Sequence, residues 1–188
     1  MENLSYTTID RKALNWPSGP WDNEPDKVQW QDPSTGMPCL AVRNPRHGHW
    51  CGYTGVEAGH PVYGTDSSDC DLSVHGGVTF TDRCQPDAEE TGICHIPGEG
   101  ESDNVWWVGF DCAHAWDLSP SDVRYYGEDA GGTYRTLGYV KEQCQDLAQQ
   151  LQGMRNRREE SRKALDAIAA LEQEFDDYGD DYGKTTRD

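Results

Sequence analysis

The chain reads as an α+β protein: an antiparallel sheet domain followed by a helical, coiled-coil-like arm. Two observations predict this. Through the middle of the chain, short stretches of two-residue apolar alternation are bounded by Gly, Pro, Asn and Asp, the pattern of half-buried strands joined by turns. From Leu137 onward the spacing changes to three and four, with Leu137, Val140, Cys144, Leu147, Leu151 and Met154 on one stripe, as an amphipathic helix requires. A chain of 188 residues suits one core plus an appendage, and seven Trp and nine Tyr supply large areas to bury.

Residues 1–36 are rich in Trp, Pro, Asn and Asp, with Trp16-Pro17, Gly19-Pro20-Trp21 and Asp32-Pro33 as turn signals. They are expected as an N-terminal arm, packed on the domain through its tryptophans. The sheet core is expected over residues 37–136. Pro38 to Arg43 and His49 to Val56, joined across Asn44-Pro45, read as a hairpin. Leu72 to Phe80 alternates, with Val74, Val78 and Phe80 on one face and His75, Gly77 and Thr79 on the other. Asn104 to Cys112 sets Trp106, Val108, Phe110 and Cys112 against Val105, Trp107, Gly109 and Asp111. These two segments are expected as neighbouring, central strands. Residues 82–103, with Pro86, Pro97, three Gly and seven acidic residues, read as a long solvated loop. The helical arm is expected over 137–175, its seam interrupted at Gly153, Arg158, Ser161 and Glu172. Residues 176–188 lack apolar periodicity and are expected as a disordered acidic tail.

Charge narrows the choice of partners. The formal net charge is −18, and between His47 and Tyr134 sixteen Asp and Glu face only Arg83 and Arg124. Such a field repels phosphates, which excludes direct nucleic-acid binding; it suits cations, basic protein surfaces or mimicry of a nucleic-acid backbone. No apolar run approaches the roughly 20 residues that span a bilayer, so no membrane partner is expected. Seven cysteines without repeated spacing, and an N-terminus without a basic region leading into an apolar one, predict a cytoplasmic protein with mostly structural thiols.

The polar residues of the two alternating segments make the leading candidate site. If the strands are neighbours, His75, Gly77, Thr79, Trp107, Gly109 and Asp111 share a face, with His114 just past the strand end. The glycines would then open a concavity in which a small polar molecule binds. His75, Asp111, His114 and Asp117 are the candidate ligands of a divalent metal by donor chemistry, with Cys112 beside them, although no spacing matches a ligand signature such as His-Glu-x-x-His. The competing structural reading is a buried His75–Asp111 pair that fixes strand register, with the glycines making room for Trp107. Cys84, Cys94-His95 and Cys112 form a second candidate, for structural zinc, against buried free thiols. His47, His49 and Cys51 are a third cluster, best read as an exposed turn. A Cys112–His114 nucleophile pair is conceivable, but the chain has no Gly-x-Ser-x-Gly elbow, phosphate loop or dinucleotide fingerprint.

Four motifs carry a resemblance: Gly52-Tyr53, Glu57-x-Gly59-His60-Pro61-x-Tyr63-Gly64, Val74-His75-Gly76-Gly77-x-Thr79-Phe80 and Trp106-Trp107-x-Gly109-Phe110-Asp111-Cys112-Ala113-His114, leading into the Tyr139-Val140 helix. Over about residues 38–152 the chain resembles an uncharacterised family of bacteriophage and bacterial accessory proteins. The resemblance implies a phage or mobile-element origin, with the host cell cytoplasm as its setting, and brings no activity, cofactor or site residue with it. The expected function is non-catalytic: binding or sequestering a small polar or nucleotide-like ligand, or a host factor. One alternative is a metal-dependent hydrolase with Glu57 as base; another is an acidic decoy that inhibits a basic host protein. A homodimer through residues 154–175 is also expected, because Arg155, Arg157, Arg158, Arg162 and Lys163 precede Glu172, Glu174, Asp176 and Asp177 along one helix.

Overall fold

The short alternating segments assemble into a six-stranded antiparallel sheet: β1 Leu4–Tyr6, β2 Lys27–Gln31, β3 Pro38–Arg43, β4 Trp50–Glu57, β5 Phe80–Arg83 and β6 Val105–Asp111. The spatial order is β1-β2-β3-β4-β6-β5. A long helix follows, so the protein is α+β. The computed structural model describes residues 2–85 and 89–182; the side chains of Glu128 and of residues 174–182 lie outside the description. Residues 1–151 and 152–188 form two compact units.

The β3–β4 hairpin forms where its turn chemistry puts it. The Asn44 carboxamide oxygen accepts the Arg46 and His47 N–H groups at 3.0 and 2.9 Å, and Gly48 takes a φ of 87°, so the chain reverses with Arg43 opposite Trp50. β6 pairs with β4 along its whole length, from Cys51–Asp111 to Glu57–Val105.

Both faces of the sheet are covered. One carries Cys39, Ala41, Trp50, Phe110 and Cys112 and packs against Val140 and Cys144 of the long helix. Val140, Cys144, Leu147 and Leu151 are fully buried, and each Val or Leu so placed contributes roughly 1.5–3 kcal/mol through apolar burial. His60 holds the last turn of this stretch. The Val62 N–H donates to its Nδ1 at 3.2 Å, which leaves the proton on Nε2 to donate to the Leu151 carbonyl at 3.0 Å. The other face buries Leu40, Tyr53, Val105 and Trp107, with Phe80 and Ile93 packed on them.

Several expectations are corrected here. Leu72–Phe80 is not a strand: Gly76 and Gly77 have φ of 67° and 87°, the Gly77 N–H closes a turn on the Val74 carbonyl at 2.9 Å, and pairing begins only at Thr79–Phe80. Alternation of side chains survives such a kink in the sequence but not in space. β5 is accordingly an edge strand, and the centre of the sheet is β3–β4.

The segment 1–36 is more than an arm, since it contributes β1 and β2; Trp16 and Trp21 are indeed buried. The 82–103 connection is exposed over most of its described residues, as expected, but a short stretch around Ile93 to His95 lies over the second face. Its Ile93 is packed there, His95 sits edge-on to Trp107 with centroids 5.4 Å apart, and the buried Lys27 and Gln29 hold its carbonyls at Cys94 and Ile96. Cys84 and Cys94 form a disulfide, so these two are not free thiols; residues 86–88 within that connection lie outside the described residues.

Glu24 ties the N-terminal segment to the helix. Its carboxylate accepts from Arg43 Nη2 at 2.9 Å, Trp50 Nε1 at 3.1 Å, the Tyr134 hydroxyl, and the Leu137 N–H at 2.8 Å. Burial opposes its ionised form, but these donors outweigh burial and hold the carboxyl below its ordinary range.

After β6 come β7 Asp117–Leu118, α1 Pro120–Tyr126 and β8 Thr133–Tyr134, with β7 and β8 paired in parallel. Ser119 and Asp122 cap α1 reciprocally: the Ser119 hydroxyl accepts the Asp122 N–H at 3.2 Å, and the Asp122 carboxylate accepts the Ser119 N–H at 2.8 Å. α2 runs Leu137–Tyr182, past the boundary expected at residue 175. In the second unit Leu165, Ile168 and Leu171 are exposed. Of the expected acidic tail, 176–182 has helical backbone, and residues 183–188 lie outside the described residues.

Candidate functional site

Four segments converge beyond the Asp111 end of β6. The 74–77 turn brings His75, the β6–β7 connection brings His114, β7 brings Asp117, and the first turns of α2 bring Tyr139 and Gln143. Arg135, between β8 and α2, completes the group. The connection is sharply bent: Trp116 holds a φ of 73°, rare outside glycine, and Asp117 N–H returns to the His114 carbonyl at 3.0 Å.

Asp117 is the centre of the cluster. Its Oδ2 accepts from His75 Nε2 at 2.7 Å and from the His114 N–H at 3.0 Å, and its Oδ1 accepts from Arg135 Nε at 2.8 Å. Its side chain is only 2% exposed. Burial pushes a carboxyl toward the neutral form, yet the donors from Arg135, His75 and His114 prevail and hold Asp117 below its ordinary range.

His75 is fixed on three sides. Besides Asp117, its Nδ1 meets the Tyr139 hydroxyl at 2.9 Å and its backbone N–H donates to Gln143 Oε1 at 2.8 Å. A hydroxyl can donate or accept, so Tyr139 serves either tautomer of the ring.

His114 differs from both. Its Nδ1 is buried, has no hydrogen-bond partner, and stands 3.8 Å from Asp111 Oδ1 and from Asp117 Oδ2. The ring lies flat against the 75–77 turn because residue 76 is glycine: a Cβ there would come within 2.0 Å of the imidazole. Together His75, His114 and Asp117 present three ligand atoms within 4.8 Å of one another.

A cleft of about 410 Å³ opens beside them, lined by His47, His49, His114, Asp117, Asp122 and Tyr126 among others. His49 is held below the usual imidazole range, because its burial outweighs the opposing charge of Asp111. Aromatic side chains stand in water around this segment: Trp116, Tyr125 and Tyr126 are 81%, 69% and 71% exposed.

The residues expected at the site divide in two. His75, His114 and Asp117 come together; Asp111 and Thr79 are neighbours of the group, bonded to each other at 2.8 Å. The carboxylate on His75 is Asp117 and not Asp111, because the Gly76-Gly77 turn carries His75 off the strand. Trp107 and Gly109 are not among the residues that line this cleft. Trp107 is fully buried in the second core, and the space left by Gly109 is filled by the Tyr53 ring, which a Cβ would meet at 2.3 Å. Gly77 has open space beside it.

The other candidates come apart as well. Cys112 is buried on the helix face of the sheet while Cys84 and Cys94 are bonded to each other, so no zinc set forms from them. Burial, then the Asp117 charge, pushes the Cys112 thiol far above its ordinary value, which removes the thiolate a Cys112–His114 nucleophile requires. Cys51 packs with Leu40 and Tyr53, its thiol raised by burial to about 12, and so stands apart from the exposed His47. Glu57 pairs with Val105 at the far end of β6, six residues from Asp111, or roughly 20 Å at the rise of a strand, and cannot serve as base here.

Gly76, Tyr139, Gln143 and Arg135 join the site without having been expected there. Gly76-Gly77 was a visible turn signal; the other three carry no local pattern. Comparison with protein-family models, with curated proteins and with solved structures finds no match to this chain.

Proposed function

We propose that the chain is a non-catalytic binding protein, an accessory protein of the phage type that the motif resemblance implies, whose cleft holds a small polar ligand. One observation carries this reading. A buried, unpartnered imidazole nitrogen belongs to a side chain on the wall of a polar cleft whose volume is that of a small-molecule site. Imidazoles of His47, His49 and His114 and carboxylates of Asp117 and Asp122 offer both donors and acceptors, and Tyr126 offers a ring face. Arg135 is paired with Asp117, Arg83 lies on the edge strand and Arg124 stacks over Tyr125, and no lysine or arginine lines the cleft. Its charge therefore suits hydroxyl, amide and amine groups better than a bare phosphate ester. A metal-dependent hydrolase is less well supported, since Glu57 is remote, and an acidic decoy rests on net charge alone.

Native mass spectrometry of the full chain, purified from cells in which it is naturally made, tests the reading: a retained small molecule is expected, and its loss from H114A. A wild-type protein that carries none, and whose melting temperature does not respond to polyols, amino acids or nucleosides, would overturn it.

A different observation favours self-association through the second unit. Leu165, Ile168 and Leu171 leave an apolar stripe in water, preceded by five basic residues and followed by acidic ones that sit unfavourably at a helix C-terminus. Antiparallel pairing about a two-fold axis at Ile168 sets Leu165 opposite Leu171 and Arg162 opposite Glu174 of a second copy, which opposes the two helix dipoles and matches the charge blocks.

A further inference from the structure

We infer that His75, His114 and Asp117 form a site for a divalent transition metal ion of the zinc class, and that this ion is what anchors the polar ligand in the cleft; the second half rests on the binding reading given above.

The donor set is the first ground. Two imidazoles and one carboxylate, with the remaining positions open, suit Zn²⁺ and similar first-row ions, whereas Mg²⁺ and Ca²⁺ prefer all-oxygen sites. The ligand atoms lie within 4.8 Å of one another, and His114 and Asp117 both face the cleft, so a coordinated ion would present its open position there. Tetrahedral bonds of about 2.0–2.1 Å put ligand atoms roughly 3.4 Å apart. The 3.8 Å from His114 Nδ1 to Asp117 Oδ2 closes by a few tenths of an ångström, and the 2.7 Å His75–Asp117 hydrogen bond opens by about 0.7 Å.

The second ground is the unpartnered Nδ1 of His114. A buried ring nitrogen without a partner is costly, and this one points between two carboxylates at a distance too long for a hydrogen bond. A cation bonded to Nδ1 removes that cost.

The third ground is the support behind the ligands. Metal-bound histidines usually hand their other nitrogen to a fixed partner, and Tyr139 is placed to take the Nδ1 proton of His75 once Nε2 turns to the ion. Arg135 occupies Oδ1 of Asp117, while Oδ2 keeps the His114 N–H and has its second lone pair for the ion. Gly76 keeps the His114 ring in place, as a side chain there would displace it. The ion would also supply the positive charge that the cleft lacks, and so admit an anionic group that the bare cleft disfavours.

The test is calorimetric titration of metal-stripped full-length protein with Zn²⁺, with Mg²⁺ as control and Co²⁺ for its visible absorption. One Zn²⁺ per chain is expected, a tetrahedral or five-coordinate Co²⁺ spectrum, no response to Mg²⁺, and a rise of several degrees in melting temperature with saturating Zn²⁺. H114A, whose side chain is 35% exposed and bears no structural hydrogen bond of its own, is expected to fold as the wild type does and to weaken Zn²⁺ at least tenfold. D117N is the second variant; should it unfold, H114A alone decides. Zn²⁺ binding unchanged in H114A but lost in the H47A/H49A double variant would overturn the inference in favour of surface imidazoles. No binding at one equivalent would overturn it too, and if a retained small molecule were still found, the cleft reading would stand without the metal. Zn²⁺ bound through His114 with no small molecule retained would uphold the metal site and sink the ligand reading.

Discussion

At the scale of single residues, the contrast between His75 and His114 separates structure from function. His75 is 12% exposed and joined to Asp117, Tyr139 and, through its backbone, Gln143; His114 is three times as exposed and its Nδ1 has no hydrogen-bond partner among the described residues. Removing one member of a buried polar pair costs on the order of 1–3 kcal/mol, which lowers the midpoint of a chain of this size by several degrees. H75A is therefore expected to melt several degrees below wild type and H114A within about two degrees of it, as differential scanning calorimetry would show. Equal losses would mean that His114 is a structural residue. Gly76→Ala is expected to cost more than H114A, since it strains a φ of 67° and drives a methyl group into the imidazole; a high-resolution structure of the variant should show His114 displaced.

At the scale of elements, the attachment of α2 to the sheet depends on Glu24 as well as on the apolar stripe. The sign of its pH dependence follows from its lowered carboxyl. The folded state holds Glu24 ionised below the ordinary value of 4.5, so its contribution to stability is complete above that value and is lost as pH falls through the folded pKa. Asp117, lowered from 3.8, acts in the same direction. E24Q is expected to lose about 1–3 kcal/mol at pH 7, because the amide replaces one acceptor by a donor facing Arg43, Trp50 and Tyr134, and to show a shallower decline between pH 5 and 3 than wild type. Chemical denaturation at several pH values reads both effects. Parallel pH profiles for E24Q and wild type would show that Glu24 does not govern the acid limb.

At the scale of the whole molecule, the proposed pairing through the second unit sets an expected oligomeric state. Leu165, Ile168 and Leu171 are each more than half exposed in the single chain, an arrangement that pairing of two helices would relieve. The full chain is expected to sediment as a dimer at tens of micromolar, and I168K, which sets a lysine against its own copy on the proposed two-fold axis, as a monomer with an unchanged circular dichroism spectrum in the sheet region. A monomeric wild type, or a dimer that survives both I168K and truncation after Gly153, would rule the pairing out. Because the pairing is partly electrostatic, the dimer should also weaken with added salt.

How much of this was legible in the sequence depends on how far each signal reaches along the chain. The β3–β4 hairpin, β6 and the α2 stripe could be read because alternation, turn residues and three-four spacing are local consequences of backbone geometry and act within a dozen residues. The type of donor at the site could be read too, since His75, His114 and Asp117 lie beside turn signals at the ends of alternating segments. Pairing was decided only by tertiary structure. Asp117 rather than Asp111 meets His75 because two left-handed glycines redirect a segment whose alternation looks like a strand, and Tyr139 and Gln143 reach the site from α2, with Arg135 from just before it, all far along the chain from His75. Cys84 likewise finds Cys94 and not Cys112 because the connection folds over the second face of the sheet. The sequence by itself determined the β3–β4 hairpin, β6, the α2 stripe and the chemistry available; the remaining elements, the order of strands, the partners of each charged group and the cleft required the packed chain, because contacts between distant residues are set by burial and not by spacing.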